Sequence, residues 1–375
     1  MKYPLFNLIL LVSFLHGVFA SGFIPILHDK LGDEASWPFA LYFVGLLLGQ
    51  LLIYWVGCLS QHRALFAVYE ILFGASLIYM GFFDGRWVLT FGRGWEGIAA
   101  GLATPLLFTH LIMAPNSIEN KTKIVRYNAV FALGYVLGPV FVKLTLLRFE
   151  IQVFLLFSGL LFMAINASLI PMLPHFEPVP EEDLKLSKLF GNISWFDKFY
   201  SLFYGKCFYG FLLTFLTSYA TVYFSWHLWK LDTVTLLTLI LAFIFAGGQQ
   251  VGAKTIRFFN PRGLEIVIPL SMCVTLLLFF TVKWGPLLLV AAVLQAYLLF
   301  IAFLNFTEKI RSGREFALFN SLSDPGMVIG AVCAGFGLKG ALVVAALGVL
   351  PLLYWRHLPP VLKENTPVTE TQQAG

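Results

Sequence analysis

Arg93 and Glu96 stand three residues apart inside an otherwise apolar stretch, Arg93-Gly94-Trp95-Glu96-Gly97-Ile98-Ala99-Ala100-Gly101. On a helix this spacing puts them on neighbouring faces, where guanidinium and carboxylate can pair directly. One reading is a structural ion pair that fixes packing. The other is an arginine that holds down the pKa of a carboxylate until cargo or conformation separates the two. Glu70 lies in a second apolar run, either paired with a basic residue near Arg63 or protonatable. Asp324 is the most isolated acid of the second half, and the Pro325-Gly326 that follows breaks a helix and exposes carbonyls. His16 sits midway along the first apolar run, where an imidazole titrates near working pH unless burial keeps it neutral. Polar candidates for the wall of a cavity are Asn128, Gln50, Gln295, Asn320, Tyr209 and Tyr219, with helix-to-helix hydrogen bonding as the plainer role. Lys206 is either a snorkelling cation or an anion contact, and His110 and Lys143 lie close enough to helix ends to reach water.

The elements that must position these groups are membrane helices. The chain has 375 residues, 59% hydrophobic and 12% charged, about half the charge of an ordinary soluble protein. Apolar runs long enough to cross a bilayer fall at 4–27, 37–57, 64–82, 87–113, 127–147 and 152–173, then at 199–224, 233–252, 264–282, 286–306, 316–336 and 340–355. They are unbroken rather than alternating, which excludes a membrane β-barrel. The fold class is therefore all-α integral membrane, with about twelve spanning helices. A charge at membrane depth is costly, so it persists where it faces protein interior or a wet cavity. Small residues at every fourth position, as in Gly97 and Gly101 or Gly134 and Gly138, let helix backbones approach closely.

Lysines and arginines divide unevenly between alternate loops, about sixteen on one side and about six on the other, which places both termini in the cytoplasm. The long polar loop 174–196 separates an N-terminal six-helix bundle, 1–173, from a C-terminal one, 197–356, and a polar tail follows at 357–375. Within the loop, 184–190 reads as a short amphipathic surface helix. The halves echo each other. Asn128, Gly134 and Gly138 recur at the same spacing as Asn320, Gly326 and Gly330, each set following a basic loop. Such internal repeats mark transporters that rock two bundles about a midplane site.

On these residues the chain resembles the major facilitator superfamily over nearly its whole length. The family's loop signature after the second span is represented by Gly57 and Arg63, without its aspartate. Its fourth-span signature, Arg-x-x-Gln-Gly-x-Gly-Ala-Ala, is matched by Arg93 to Gly101 with Glu96 at the glutamine. Its fifth-span signature, Gly-x-x-x-Gly-Pro, is matched by Gly134, Gly138 and Pro139, followed here by Val140-Phe141 in place of two glycines. The resemblance implies two pseudo-symmetric bundles and a role for Arg93 near a proton path. The fifth-span motif implies kinship with proton-driven drug and metabolite antiporters.

The expectation is a secondary active transporter of a bacterial inner membrane, not an enzyme. It would work by alternating access and export a small organic or amphiphilic molecule, such as a drug, siderophore or metabolite, against protons. Proton symport or facilitated uptake is the alternative. A lipid-acting membrane enzyme or a non-transporting receptor is the alternative of another class. The four cysteines, Cys58, Cys207, Cys273 and Cys333, and the scattered histidines show no metal spacing, and no P-loop sequence is present. Expected partners are the cargo, protons and membrane lipid, with no nucleic acid, metal or cofactor, the chain acting as a monomer.

Overall fold

The structure, a computed structural model, describes residues 4–56, 63–113, 120–168, 170–172, 195–224, 232–255, 261–307 and 313–350. Gly57, the 184–190 segment, most of the 174–196 connection and the 357–375 tail lie outside them, as do the side chains of Arg63, His110 and Asn128. The described residues hold thirteen α-helices and no strand. The first half contributes α1 (Pro4–Leu31), α2 (Ser36–Val56), α3 (Arg63–Phe82), α4 (Arg86–Met113), α5 (Asn120–Leu146) and α6 (Ile151–Ala167). The second contributes α7 (Trp195–Tyr223), α8 (Thr233–Thr255), α9 (Pro261–Val282), α10 (Pro286–Thr307), α11 (Gly313–Ser323), α12 (Pro325–Gly335) and α13 (Leu338–Leu347).

The extra helix comes from the eleventh span, which divides at Asp324. Pro325 has no N–H, so the intrahelical ladder loses a rung there. Asp324 itself keeps right-handed helical dihedrals (φ −68°, ψ −22°), so α12 continues the course of α11. Among the described residues, five segments are long and apolar enough to cross a membrane: Phe6–Leu31, Ser36–Trp55, Ala129–Leu146, Ile151–Met172 and Ala317–Gly335, the last with Asp324 inside it. Outward-facing stripes at helical spacing are apolar, as with Leu133, Leu137, Phe141 and Leu144 on α5 and Val153, Phe157, Leu160 and Leu161 on α6. Exposed apolar belts of this extent suit acyl chains rather than water.

Helix pairing repeats six passes apart. In the first half α1 packs on α5, α2 on α4 and α3 on α6; in the second, α7 packs on α12, α8 on α10 and α9 on α13. Two further seams join the halves, α2 against α11 and α12, and α5 against α8. The glycine motifs explain the tightest pairs. A Cβ on Gly97 or Gly101 would overlap the carbonyl oxygen of Tyr42 or Leu46 on α2. One on Gly134 or Gly138 would overlap those of Phe14 or Val18 on α1, and one on Gly326 or Gly330 those of Phe203 or Cys207 on α7. In lipid, where the hydrophobic effect does not drive helix association, such backbone contact supplies the dispersion energy. Pro139 lies inside α5, one residue after Gly138.

Candidate functional site

The close α2–α4 approach carries Arg93 to the centre of the protein. Arg93 is 1% and Glu96 0% exposed. The guanidinium Nη1 donates to Glu96 Oε2 at 2.5 Å. Its face is covered by Tyr42 (4.2 Å to the ring centre) and by Phe23 (4.8 Å), contacts in which a cation is attracted to the π-face. Among the described residues its Nε has no hydrogen-bond partner, nor does Glu96 Oε1.

A second buried pair lies in the other half. Lys206 of α7 donates to Asp324 and, at 2.9 Å, to Asn320 Oδ1 on α11. Asp324 is 1% exposed. Its position at the α11–α12 junction follows from Pro325, and Gly326 lets α7 close over the junction.

Between the pairs lies a cavity of about 310 Å³ walled by helices of both halves, near the small end of the range for ligand pockets. Arg93 and Lys206 both line it. Phe39, Tyr42 and Phe43 of α2, Phe131 and Tyr135 of α5, Tyr209 of α7 and Phe245 of α8 supply aromatic wall. The Tyr209 hydroxyl donates to Tyr135 Oη (3.0 Å), a hydrogen bond from one half to the other. Glu96 and Asp324 are not part of the lining; each is paired with a cation that is.

The remaining sequence candidates fall around this centre. His16 packs against Tyr69, Phe73 and Phe131 (ring centres 5.7 to 6.4 Å apart) without lining the cavity. Glu70 is buried on α3, away from the cavity wall, and its Oε1 has no hydrogen-bond partner among the described residues. Gln50 is buried on α2 with Oε1 unpartnered among the described residues. Gln295 of α10 donates to the Gly205 carbonyl (3.1 Å) and so ties α10 to α7. Asn320 touches the site through Lys206, whereas Tyr219 packs against Phe215 further along α7 (ring centres 5.1 Å apart). Asp324, isolated in sequence, is thus half of an ion pair. The signal for it was its place: it is an acid in the middle of an apolar run, 316–336, as Lys206 is a cation within the run 199–224.

At the C-terminal end of α1 the halves are tied again. Lys143 donates to Asp29 and to Asp232, each at 2.7 Å. His28 Nδ1 donates to the Thr217 carbonyl (2.6 Å). Asp232 lies ahead of α8 and also accepts the Thr235 N–H (2.8 Å), capping that helix. Partial burial pushes the Asp232 carboxyl up, but hydrogen bonds from Lys143 and Thr235 outweigh it and hold the pKa below the usual aspartate value.

The family model of the Major Facilitator Superfamily matches residues 5–331. The chain belongs to this superfamily. It is accordingly a multi-pass integral membrane transporter and not an enzyme. Among solved structures it is similar to a nucleoside transporter, NupG, at 15% identity and a TM-score of 0.63, over 92% of this chain and 98% of that one. It is also similar to a bacterial homologue of the human lysosomal transporter Spinster, captured inward-facing and occupied. There the identity is 15% and the TM-score 0.61, over 93% of this chain and 94% of that one. At such identity the likeness is one of fold. No individual curated protein matches the chain.

Proposed function

We propose that this superfamily member is a proton-coupled secondary transporter of a small organic or amphiphilic molecule, with Arg93–Glu96 and Lys206–Asp324 as its coupling centres. The halves 1–173 and 197–356, joined by 174–196, would move against each other around the cavity. The observation that carries this reading is one cavity between two repeated halves, into which each half presents a single cation held by a buried carboxylate. Protonating either carboxylate frees its cation and changes which pairs can form. That is the requirement for a proton to bias two conformations.

The Lys143–Asp29–Asp232 cluster and the His28–Thr217 bond would close the outer face if both termini are cytoplasmic, as the loop charges favour. A bacterial inner membrane and a monomer are the expected setting. Two directions are open to such a carrier. Export by antiport is favoured by the Gly134–Gly138–Pro139 motif and its kinship with efflux carriers. Uptake by symport is favoured by the cavity wall, which offers cations rather than carboxylates to a cargo.

The deciding experiment uses purified protein in proteoliposomes with an imposed pH gradient and a panel of labelled drugs, siderophores, organic acids and nucleosides, the last because NupG is a nucleoside transporter. Cargo moving up its own gradient against proton flow indicates antiport, and cargo moving with protons indicates symport. A cargo that crosses at the same rate with and without the imposed pH gradient would refute proton coupling.

A further inference from the structure

The charge lining the cavity is one-sided. Its only ionisable side chains of formal charge, among the described residues, are Arg93 and Lys206. A guanidinium has five N–H donors and an ammonium three. Arg93 spends one on Glu96 and leaves Nε, on a residue 99% buried, without a partner among the described residues. Lys206 spends two, on Asp324 and Asn320, which leaves a third. With its flat face taken up by Tyr42 and Phe23, the guanidinium keeps its edge for an acceptor, the geometry in which arginine grips a carboxylate in bidentate fashion. The rest of the wall offers ring faces from Phe39, Phe43, Phe131, Tyr209 and Phe245.

Resting on the transport reading above, we infer that the cargo is a small organic acid carried as its anion. Its carboxylate engages Arg93 and Lys206, and a flat apolar body lies against the rings. An organic cation would be desolvated against two like charges, an arrangement that excludes it. A volume of about 310 Å³ equals roughly ten water molecules at ~30 Å³ each, enough for one or two rings and an acid group.

The same charges set the coupling sense. Two cations and two carboxylates sum to zero, so a bound anion leaves one uncompensated negative charge in a poorly solvated site. Taking up one proton on Glu96 or Asp324 restores neutrality and releases the cation that the anion needs. The proton comes from the side on which the cargo enters and leaves with it on the other. Cargo and proton therefore favour each other's binding, which is symport. The other titratable side chains facing the pairs are His16 from α1, Tyr42 from α2, Tyr69 from α3, and Tyr135 and Tyr209 from α5 and α7. None of them brings a compensating positive charge while His16 is neutral.

The test compares matched probes on the full chain in detergent: benzoate, cinnamate and indole-3-acetate, with the amide and amine counterpart of each, in thermal-shift and direct binding measurements. The carboxylates should stabilise the protein and the amides and amines should not. Arg93→Lys, which keeps the charge but loses the fork, should weaken carboxylate binding by about tenfold or more while eluting as folded protein on size exclusion. The double neutral variant Arg93→Gln with Glu96→Gln, which strands no charge, should abolish the carboxylate shift and keep the fold. Stabilisation by an amine or amide equal to that by its acid would overturn the assignment, and so would the absence of any carboxylate shift. Transport is read separately. A carboxylate that binds as described but never crosses a proteoliposome membrane refutes the transporter reading and leaves the anion site standing.

Discussion

Removing Asp324 should cost far more than removing Asp324 and Lys206 together. The pair is buried, with side-chain exposures of 1% for Asp324 and 9% for Lys206, so Asp324→Leu leaves an ammonium inside the protein with its principal counter-charge gone. Stranding one member of a buried pair costs about 3–5 kcal/mol. Lys206 keeps the Asn320 oxygen at 2.9 Å, which places the loss near the lower end, at about 3 kcal/mol. Lys206→Met with Asp324→Leu replaces both charges by apolar groups of similar length, and such replacement is neutral to within about 1 kcal/mol or stabilising. The double-mutant cycle should therefore give a coupling energy of at least ~2 kcal/mol. Equilibrium unfolding in mixed micelles, followed by helix circular dichroism, measures all four corners. If the two single losses simply add up to the double loss, Lys206 and Asp324 do not interact, and the site described here is wrong in its second half. Transport should be lost in all three variants, including the stable double variant, because the carboxylate and the cation that it releases on protonation are no longer both present there.

Further outcomes follow from other contacts. Gly330→Leu and Gly138→Val drive side chains into the backbone of α7 and α1 and should each destabilise by about 1–3 kcal/mol or more. Leu137→Ala on the lipid-facing stripe of α5 should leave folded yield unchanged; yields measured by fluorescence size exclusion compare them. Tyr209→Phe removes the hydrogen bond to Tyr135 that crosses the cavity. It should shift the balance of inward and outward states by about 0.5–1.5 kcal/mol, visible as altered accessibility of introduced cysteines. Asp232 has its pKa depressed in the folded protein. Its contribution is therefore complete above the ordinary aspartate pKa of 3.8 and disappears only as pH falls through the lower folded value. Asp232→Asn should weaken the tie to Lys143 at every pH from 5 to 8, leaving the pH optimum of transport in place. A displaced optimum would mean that the rim, and not the central pairs, senses protons.

Much of the fold was legible because its signals are local. Apolar run length marks the passes, and the small residues of Gly97, Gly101, Gly134, Gly138, Gly326 and Gly330 mark the seams where helices touch. Arg93–Glu96 was legible for the same reason, since i,i+3 neighbours meet on any helix. What pairs at long range was not. Lys206 and Asp324 are separated by 118 positions, and only the packing of α7 on α12 shows that they share a contact. Tyr42 and Phe245 carry no motif and become cavity wall only through the halves' arrangement. Glu70 and Tyr219 have the chemistry of site residues but lie away from the cavity. The break at Asp324 was legible from Pro325, yet Asp324 keeps right-handed helical dihedrals, since one missing rung does not oblige the backbone to leave the helical region.

The close glycine contacts have a bearing on where this molecule can yield. Each described glycine whose added Cβ would collide with main chain of a neighbouring helix finds that helix within its own half, whereas across the α2–α12 seam Gly335 meets the Ser36 side chain. Main chain locked on main chain has no slack, because neither surface can change rotamer; side-chain surfaces can slide and re-register. Wear and drift over evolutionary time should therefore fall unequally: substitutions will accumulate along α2–α12 and α5–α8 long before they are accepted along α1–α5, α2–α4 or α7–α12.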